Sequence, residues 1–387
     1  MAVEQGAHVE DELAQVAPAS GKDRGLAWYL ALGVLRRRSV LDAALRPHLR
    51  QPIASMDAPV RAALRLGAFE RLFARTAVHA AVDQSVEVAK ALRAGRAKGL
   101  VNAVVRKVEL PTGLKRADQL CHPAWLVSRW DKRYGKEATT EWCTANNEEP
   151  PVFAVTRNQQ VTEFESTATD VDGVFRTKGL GLVTQLPGFA EGSFWIQDKA
   201  AVRIADIVGD VDGKRVLDAC AAPGGKSFRL ASRGGAVTAV DVSTRRLRDV
   251  VSGAERLNMD VQTAVHDWTL GHKQGLGEFD SVLVDVPCTG LGTLRRHPEI
   301  RWRRQLIDIL SIPPKQGAIL AGAATHVRPG GTLVYAVCSP EPEEGPNVVQ
   351  RFVKLHPEFS LDTELGGKPP TDDEDVHYAA RLTRKGA

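Results

Sequence analysis

The sequence predicts an α/β protein in which a doubly wound C-terminal domain follows a helical domain and a small α+β connecting subdomain. Three observations lead to this prediction. Apolar runs alternate with amphipathic segments after about residue 194, apolar residues are spaced three and four apart between residues 24 and 108, and a basic charge excess is concentrated in that second region. A chain of 387 residues accommodates two or three domains.

The first predicted domain comprises residues 21–116, after a polar leader at residues 1–20. The spacing of Leu26, Leu30 and of Leu66, Phe69, Leu72 predicts successive helices. From residue 22 to residue 116 the chain has 19 Lys or Arg against 7 Asp or Glu. This excess indicates a polyanionic partner, most simply RNA or DNA, although a solvated helical surface would give the same count.

The next two regions are predicted to contain strands. Residues 117–193 form a connecting subdomain with short strands near 152–157 and 174–176, and residues 194–387 form the last domain. Near-continuous Val, Leu and Ala runs are typical of buried parallel strands joined by crossover helices. The candidate strands of the last domain are 215–219, 236–242, 261–266, 279–286 and 332–337.

Composition excludes several classes of protein. The five cysteines are widely spaced, without a Cys-x-x-Cys pair or zinc spacing, so a reduced cytosol and no metal are expected. The first residues lack a signal peptide, and no stretch approaches the roughly 18 apolar residues of a membrane helix. We therefore expect a cytoplasmic monomer with no membrane partner.

A glycine turn follows the first strand of the last domain. Gly224 and Gly225 let the backbone approach a ligand, and the helix that follows offers free amides. Asp241, about 20 residues further on, suits the ribose hydroxyls of a nucleoside cofactor. Asp267 could accept from an adenine amino group, or cap a helix. The spacing is not Gly-x-Gly-x-x-Gly, so a plain turn is the alternative.

Two cysteines end two further strands of the predicted sheet. Cys288 follows Asp285-Val-Pro, and Cys338 closes the run Leu-Val-Tyr-Ala-Val. Ligands of open α/β sheets bind at the carboxyl ends of the strands, so both thiols and Asp285 can converge on one pocket. This suggests thiol chemistry beside a nucleotide-like cofactor, although a lone strand-end cysteine is usually a buried apolar residue.

A basic segment follows the first of these cysteines. Its arginines and Trp302 could supply phosphate contacts and a stacking face for RNA, whereas a solvated helix start is the alternative. The predicted RNA-binding residues are Arg295, Arg296, Arg301, Arg303 and Arg304.

In this order, the motifs resemble those of the NOL/NOP/Sun family of RNA (cytosine-5) methyltransferases. They are Asp218-Ala-Cys-Ala-Ala-Pro-Gly-Gly-Lys226, Asp285-Val-Pro-Cys-Thr-Gly-Leu-Gly and Tyr335-Ala-Val-Cys-Ser. The helical region resembles the NusB-type RNA-binding domain, with Val101-Asn-Ala-Val-Val-Arg similar to its final helix. That combination is typical of the subgroup that acts on small-subunit ribosomal RNA.

The resemblance implies a Rossmann-like class I methyltransferase domain, S-adenosyl-L-methionine as cofactor and small-subunit ribosomal RNA as partner. It implies that Cys338 attacks carbon 6 of cytosine, that Asp285 contacts the ring N3 and amine region, and that Cys288 assists release. Lys226 could lower a thiol pKa or orient Asp285. The implied cofactor-binding residues are Cys220, Ala221, Ala222, Pro223, Gly224, Gly225, Lys226, Asp241, Arg246, Asp267 and Asp285.

Three segments depart from the family pattern. Val337 replaces a hydroxyl residue, Glu343-Glu-Gly-Pro-Asn347 alters a Glu-Asn-Glu element, and the segment from Thr371 to Arg381 lacks Asp-Gly-Phe-Phe. Three alternatives stay open: a tRNA cytosine-5 methyltransferase, a catalytically inactive rRNA-binding assembly factor and a small-molecule methyltransferase. The intact thiol pair argues against the inactive factor, and the basic helical region argues against the small-molecule enzyme.

Overall fold

The computed structural model describes residues 2–18, 21–74, 76–157, 164–178, 183–366 and 373–386. Two compact units divide the chain: Met1–Glu149 with Leu294–Arg304, and Pro150–Thr293 with Gln305–Ala387. Contacts thus assign Leu294–Arg304 to the first unit, although it lies within the predicted C-terminal domain. Thr371 and Asp372 lie outside the described ranges, and within those ranges no helix is long and apolar enough to cross a membrane.

The first unit is helical, as predicted for residues 21–116. The helix Ala58–Leu72 packs closely on the helix Val78–Ala91. A Cβ atom at Gly67 of the first helix would lie 2.1 Å from Ser85 Oγ of the second, so the contact requires glycine. Leu41, Leu64 and Val105 are fully buried in the core between the helices. The helices are α1 Val9–Val16, α2 Lys22–Arg36, α3 Arg38–Leu45, α4 Ala58–Leu72, α5 Val78–Ala91, α6 Lys98–Lys107, α7 Arg116–Gln119, α8 Ala124–Tyr134 and α9 Lys136–Ala145.

The second unit opens with a small antiparallel sheet in the order β2-β3-β1-β4. The sheet includes the two short strands predicted near 152–157 and 174–176. Phe153 and Trp195 from this sheet share an apolar core with Phe228 and Leu247, which lie on the helices Gly225–Ser232 and Thr244–Arg256. The strands are β1 Phe153–Thr156, β2 Ser166–Ala168, β3 Val174–Thr177 and β4 Phe194–Ile196.

A seven-stranded mixed sheet in the order β10-β11-β9-β8-β5-β6-β7 forms the rest of the unit. All five predicted strands are present and pair in parallel. The strands are β5 Arg215–Asp218, β6 Ala236–Asp241, β7 Val261–Val265, β8 Phe279–Asp285, β9 Val327–Val337, β10 Phe359–Gly366 and β11 Tyr378–Arg384. The helices are α10 Lys199–Asp206, α11 Gly225–Ser232, α12 Thr244–Arg256, α13 Ile300–Arg303 (in the first unit), α14 Leu306–Ser311, α15 Pro313–Ala324 and α16 Pro346–Leu355.

The antiparallel hairpin of β10 and β11 is not among the strands predicted from apolar runs. β10 lies at the sheet edge, and only Phe359 of its residues is buried, so no buried apolar run marks it. The order of the parallel strands reverses between β5 and β8. A crevice at the carboxyl ends of strands is expected at such a switch point, and Asp218 and Asp285 are the last residues of these two strands.

Candidate active site

The two predicted thiols lie together at the carboxyl edge of the large sheet. Cys288 follows β8 and Cys338 follows β9, and these strands are adjacent and parallel. The Cys288 Sγ and Cys338 Sγ atoms are 3.2 Å apart and form a hydrogen bond. That bond and burial both raise the pKa of the Cys288 thiol, so Cys288 is a neutral thiol at physiological pH.

An ion pair lies in the same crevice. Lys226 Nζ donates to Asp285 Oδ2 at 2.6 Å, and the two side chains are 15% and 24% exposed. Burial opposes the charge on Lys226, but the carboxylate of Asp285 outweighs burial and raises the lysine pKa. The pair therefore presents a fixed cation and a fixed anion beside the thiols, as predicted for residues that orient each other.

Asp218 is a buried carboxyl group at the end of β5. Its Oδ2 accepts from Ser227 Oγ at 2.7 Å, while no described residue hydrogen-bonds its Oδ1. Burial raises the pKa of Asp218 to about 6, against the opposing effects of Ser227 and Lys226. A buried oxygen without a partner in a crevice is a position at which a ligand donor fits.

The glycine turn is held by the end of the neighbouring strand. Gly224 has φ +115°, and a Cβ atom there would lie 2.5 Å from the Phe228 ring, so this position requires glycine. Ala222 N donates to Asp241 Oδ2 at 3.3 Å, and Arg246 Nη2 donates to Ala222 O at 2.6 Å. Three predicted cofactor-binding residues are therefore brought together around the start of α11.

Two other predicted residues have local partners. Burial first, and then nearby carboxylates, raise the pKa of the Cys220 thiol, so Cys220 is not a thiolate. The Oδ1 atom of Asp267 accepts from the backbone N and the hydroxyl of Thr269 at 2.9 and 2.7 Å. This is the helix-cap geometry that the sequence left open for Asp267, and it does not exclude a ligand contact by the other carboxylate oxygen.

The prediction that Arg301 contacts RNA is corrected by its position in the first unit. Arg301 is fully buried, and its guanidinium donates to the carbonyl oxygens of Cys121, Asn146 and Leu294 at 2.9 to 3.1 Å and to Asn147 Oδ1 at 2.6 Å. Burial lowers its pKa to about 10, so it remains charged at neutral pH. The side chain joins Leu294–Arg304 to the helical unit and is not accessible to phosphate.

Other members of the basic segment are also engaged inside the first unit. Trp302 Nε1 donates to Leu35 O at 2.7 Å, Arg303 donates to Ala7 O at 3.1 Å, and Arg295 donates to Glu149 O at 2.9 Å. Arg296 and Arg304 are half-buried. Sequence reasoning missed these structural roles, since a local basic cluster contains no signal of burial.

Arg301→Ala is expected to lower the free energy of unfolding by about 3 kcal/mol, because four buried acceptors lose a charged donor. Chemical denaturation of the purified protein measures this change. Arg46→Ala, at an exposed position of the same unit, is the matched control and is expected to change stability by less than about 0.5 kcal/mol. Equal stability of the two variants would contradict the anchoring role.

Glu344, which the sequence marked only as part of an altered segment, lies between the turns that carry the two thiols. Its buried carboxylate accepts from Thr289 N at 2.7 Å, from Thr289 Oγ1 at 2.5 Å and from Ser339 Oγ at 2.5 Å. Thr289 and Ser339 directly follow Cys288 and Cys338, so Glu344 links the two thiol turns. The sequence signal for this link was a Thr or Ser directly after each cysteine together with an acid a few residues after the second cysteine.

Three family models match the chain. The model of 16S rRNA methyltransferase RsmB/F matches residues 206–380, that of the NusB family residues 2–110, and that of the RsmF/B-like ferredoxin-like domain residues 122–168.

The chain also has curated relatives along its full length. The ribosomal RNA small subunit methyltransferase B of Erwinia tasmaniensis is 32% identical, with 99% of this chain and 96% of the relative covered. The protein of the same name from Pseudomonas putida is 34% identical, with 92% and 88% covered.

Solved structures share the fold. PH0851 superimposes with a TM-score of 0.84 at 21% identity, covering 96% of this chain and 93% of its own. NSun6 from Pyrococcus horikoshii, solved with SFG, superimposes with a TM-score of 0.61 at 16% identity, covering 68% and 99%.

Proposed function

The chain belongs to the family of 16S rRNA methyltransferases RsmB/F, and from this membership we propose that it methylates carbon 5 of a cytosine in small-subunit ribosomal RNA. The proposed reaction passes through a covalent adduct between Cys338 and the base. The observation that carries this proposal is the pair of thiols 3.2 Å apart beside the Lys226 and Asp285 ion pair. The coarser activity, methylation of rRNA, follows from the family itself.

S-adenosylmethionine is the cofactor, and it supplies an electrophilic methyl group on a sulfonium. The residues of the crevice fit such a molecule. Asp241 is placed for the ribose hydroxyls, and the unpartnered Oδ1 of the buried Asp218 can accept from a cofactor donor. The remaining proposed contacts are the turn residues 220–226, Arg246, Asp267 and Asp285.

Cys338 acts as the nucleophile in the proposed mechanism. Carbon 5 of cytosine is a poor nucleophile, and addition of a thiolate at carbon 6 activates it. The turn after β9 supports this role because Glu344 fixes Ser339, the residue next to the nucleophile. A fixed turn holds the sulfur in one position and so lowers the cost of orienting the reactants.

We propose that Asp285 accepts a hydrogen bond from the exocyclic amine beside N3 of the base, and Lys226 holds the carboxylate in place at 2.6 Å. The Lys226 cation offsets the negative charge that develops on the ring during addition. Preorganised charges of this kind, in a site shielded from water, are the largest source of catalysis in many enzymes. The ion pair thus positions the base and stabilises the adduct.

Cys288 acts after methylation. The adduct must lose the proton on carbon 5 and expel the sulfur of Cys338, and Cys288 is next to that sulfur. Once Cys338 is bonded to carbon, the hydrogen bond that raises the Cys288 pKa is gone, so Cys288 can lose its proton to solvent, and the resulting thiolate accepts the carbon 5 proton. The two cysteines therefore divide bond formation and bond cleavage between them.

The base must be unpaired or flipped out of a helix, since carbon 6 is otherwise inaccessible to a thiol. The basic excess of the helical unit supports a sequence-independent contribution to RNA binding, with salt-sensitive affinity. Within the basic segment, we retain Arg295, Arg296, Arg303 and Arg304 as candidate phosphate contacts.

Cys288→Ala is expected to accumulate a covalent adduct between protein and RNA, because addition proceeds while release is impaired. Denaturing electrophoresis of the variant with S-adenosylmethionine and small-subunit rRNA that lacks its modification detects the adduct. Cys143→Ala, which removes a buried thiol of the first unit, is the matched control and accumulates none. Normal turnover of Cys288→Ala without an adduct would exclude Cys288 from the release step.

A further inference from the structure

A histidine that the proposed mechanism does not use lies beside the nucleophile. We propose that His377 is the general base that takes the proton of the Cys338 thiol as the sulfur attacks the cytosine ring. This inference rests on the proposed function, because it assigns a partner to the same nucleophile. It adds a residue that the sequence motifs and the proposed mechanism leave unassigned.

The strand register brings the two residues to the same end of two paired strands. His377 directly precedes β11, which pairs antiparallel with β9 so that Tyr378 is opposite Val337 and Ala379 is opposite Ala336. The pairing ends there, and extending it by one residue would put His377 opposite Cys338. Opposed residues of an antiparallel pair have Cβ atoms about 5 Å apart and side chains on the same face. The described residues show no hydrogen bond between the two side chains, so proton transfer requires a side-chain rotation that brings His377 Nδ1 to the sulfur.

Backbone hydrogen bonds connect the segment before β11 to the Cys338 turn through Gly292. Val376 N donates to Gly292 O, and Gly292 N donates to Cys338 O, both at 3.0 Å. A Cβ atom at Gly292 would lie 1.9 Å from Val376 O, so only glycine permits this approach. Asp375 N also donates to Asp198 Oδ1 at 3.3 Å. The segment that carries His377 is therefore fixed to both cysteine turns and to the start of α10.

Side-chain alternation directs His377 toward the charged crevice. Ala336 and Ala379, each two residues from Cys338 and His377, lie in the apolar core that includes residues of α10 and α11. Since side chains alternate along a strand, Cys338 and His377 follow on that same face. Lys226 lies in the first turn of α11, which packs on this face. The imidazole thus shares its surroundings with the ion pair.

The ring has an unused nitrogen. His377 is 9% exposed, and no described residue hydrogen-bonds its Nδ1. His266 and His326 of the same unit each have a ring nitrogen within hydrogen-bond distance of a backbone carbonyl, at 2.9 and 2.7 Å. Buried polar atoms normally have partners, so an imidazole nitrogen left without one beside a nucleophile suggests a chemical role.

The surrounding charges leave this nitrogen able to accept a proton. Burial and the Lys226 cation lower the pKa of His377 below its ordinary value of 6.5, while Asp198, Asp285 and the backbone of Asp375 act in the opposite direction. The imidazole is therefore neutral at pH 7. A neutral imidazole near a thiol is the arrangement in which a cysteine is activated by an adjacent base.

The proton and the electron pairs balance without another reactant. As Cys338 Sγ bonds to carbon 6, the S–H bond breaks and its proton passes to His377 Nδ1. The electron pair of the carbon 5 to carbon 6 double bond moves into the ring toward carbon 4 and N3. On elimination, the pair of the carbon–sulfur bond returns to the sulfur and the imidazolium returns the proton.

The test measures adduct formation as a function of pH in single-turnover reactions. The substrate is small-subunit rRNA transcribed with 5-fluorocytidine, whose carbon 5 has no proton to lose, and the cofactor is S-adenosylmethionine. His377→Phe preserves the ring volume, His377→Asn preserves a polar group near the Nδ1 position, and neither can accept the proton. His356→Phe, on the partly exposed ring that stacks on Phe352 4.5 Å away, is the control.

In the wild type, the adduct rate is expected to rise through a pKa below 6.5 and then to level off, because the neutral imidazole is required. Both His377 variants are expected to be about 100-fold slower at pH 6.5 and to gain about tenfold per pH unit up to pH 9. His356→Phe follows the wild type.

Two results would overturn the inference alone: a wild-type pH profile in both variants, or a loss that is equal at every pH, which indicates a packing role. Absence of any adduct in the wild type would overturn the proposed function and this inference with it. Melting temperatures within a few degrees of wild type confirm that the variants compared are folded.

Discussion

Cys338→Ala is expected to reduce methyl transfer to small-subunit rRNA by on the order of 10⁴-fold or more, because the variant has no nucleophile for carbon 6. Transfer of labelled methyl from S-adenosylmethionine to rRNA lacking its modification measures this loss. The variant is also expected to form no adduct with 5-fluorocytosine RNA. Cofactor affinity should change little, since the turn residues 220–226 are untouched.

Cys143→Ala is the control for loss of a thiol in general. Cys143 is buried in the first unit, and burial raises its pKa to about 12, so it is not a thiolate at neutral pH. Its replacement should leave methyl transfer close to wild type. Equal labelling by Cys338→Ala and the wild type would remove Cys338 from the mechanism, and an adduct in Cys338→Ala would assign the nucleophile to another residue.

Asp285→Asn is expected to reduce methyl transfer by about 10²- to 10³-fold, because it keeps the shape of the side chain but removes the charge that orients the base. It also leaves the Lys226 ammonium without its carboxylate in a mostly buried position. A double-mutant cycle with Lys226→Met separates the two effects. The double variant is expected to lose far less than the product of the single losses, since the two side chains act as a pair.

The same pair has a defined pH dependence of stability. The pKa of Lys226 is raised above 10.5, so the stabilisation it contributes is fully present below that value and is lost as the pH rises through the raised pKa. The stability difference between wild type and Asp285→Asn should therefore shrink at alkaline pH. In the double-mutant cycle of Asp285→Asn and Lys226→Met, losses of methyl transfer that simply multiply would contradict a paired role.

The elements that carry the chemistry were largely predictable. Buried parallel strands have continuous apolar runs, and this trace marks β5, β6, β8 and β9, whereas the predicted strand β7 lies at a sheet edge and is partly exposed. The strand-end positions of Asp285, Cys288 and Cys338 then follow from chain order. The edge strand Phe359–Gly366 was not predicted, because only Phe359 is buried and no two neighbouring residues of the strand form an apolar run.

For Arg301 in the basic segment, in contrast, the prediction from the sequence was wrong. Arg301 and its neighbours form a local cluster of cations, which predicts a surface that binds phosphate. Arg301 instead satisfies the carbonyl oxygens of Cys121 and Asn146, more than 150 residues away in the chain. Neither the acceptors nor the burial can be identified from the residues next to an arginine, so its position was decided by long-range packing.

By itself, the sequence determined the fold class, the order of the motifs and the residue types available for chemistry, because periodicity, turns and strand ends are local properties of the chain. Only the tertiary structure decided that two thiols would be 3.2 Å apart, that Glu344 would link their turns and that Tyr378, next to His377, would pair with Val337, next to Cys338. These contacts depend on which strands are neighbours and in which register they pair. Strand order and register are set by packing across the whole sheet, and no local pattern encodes them.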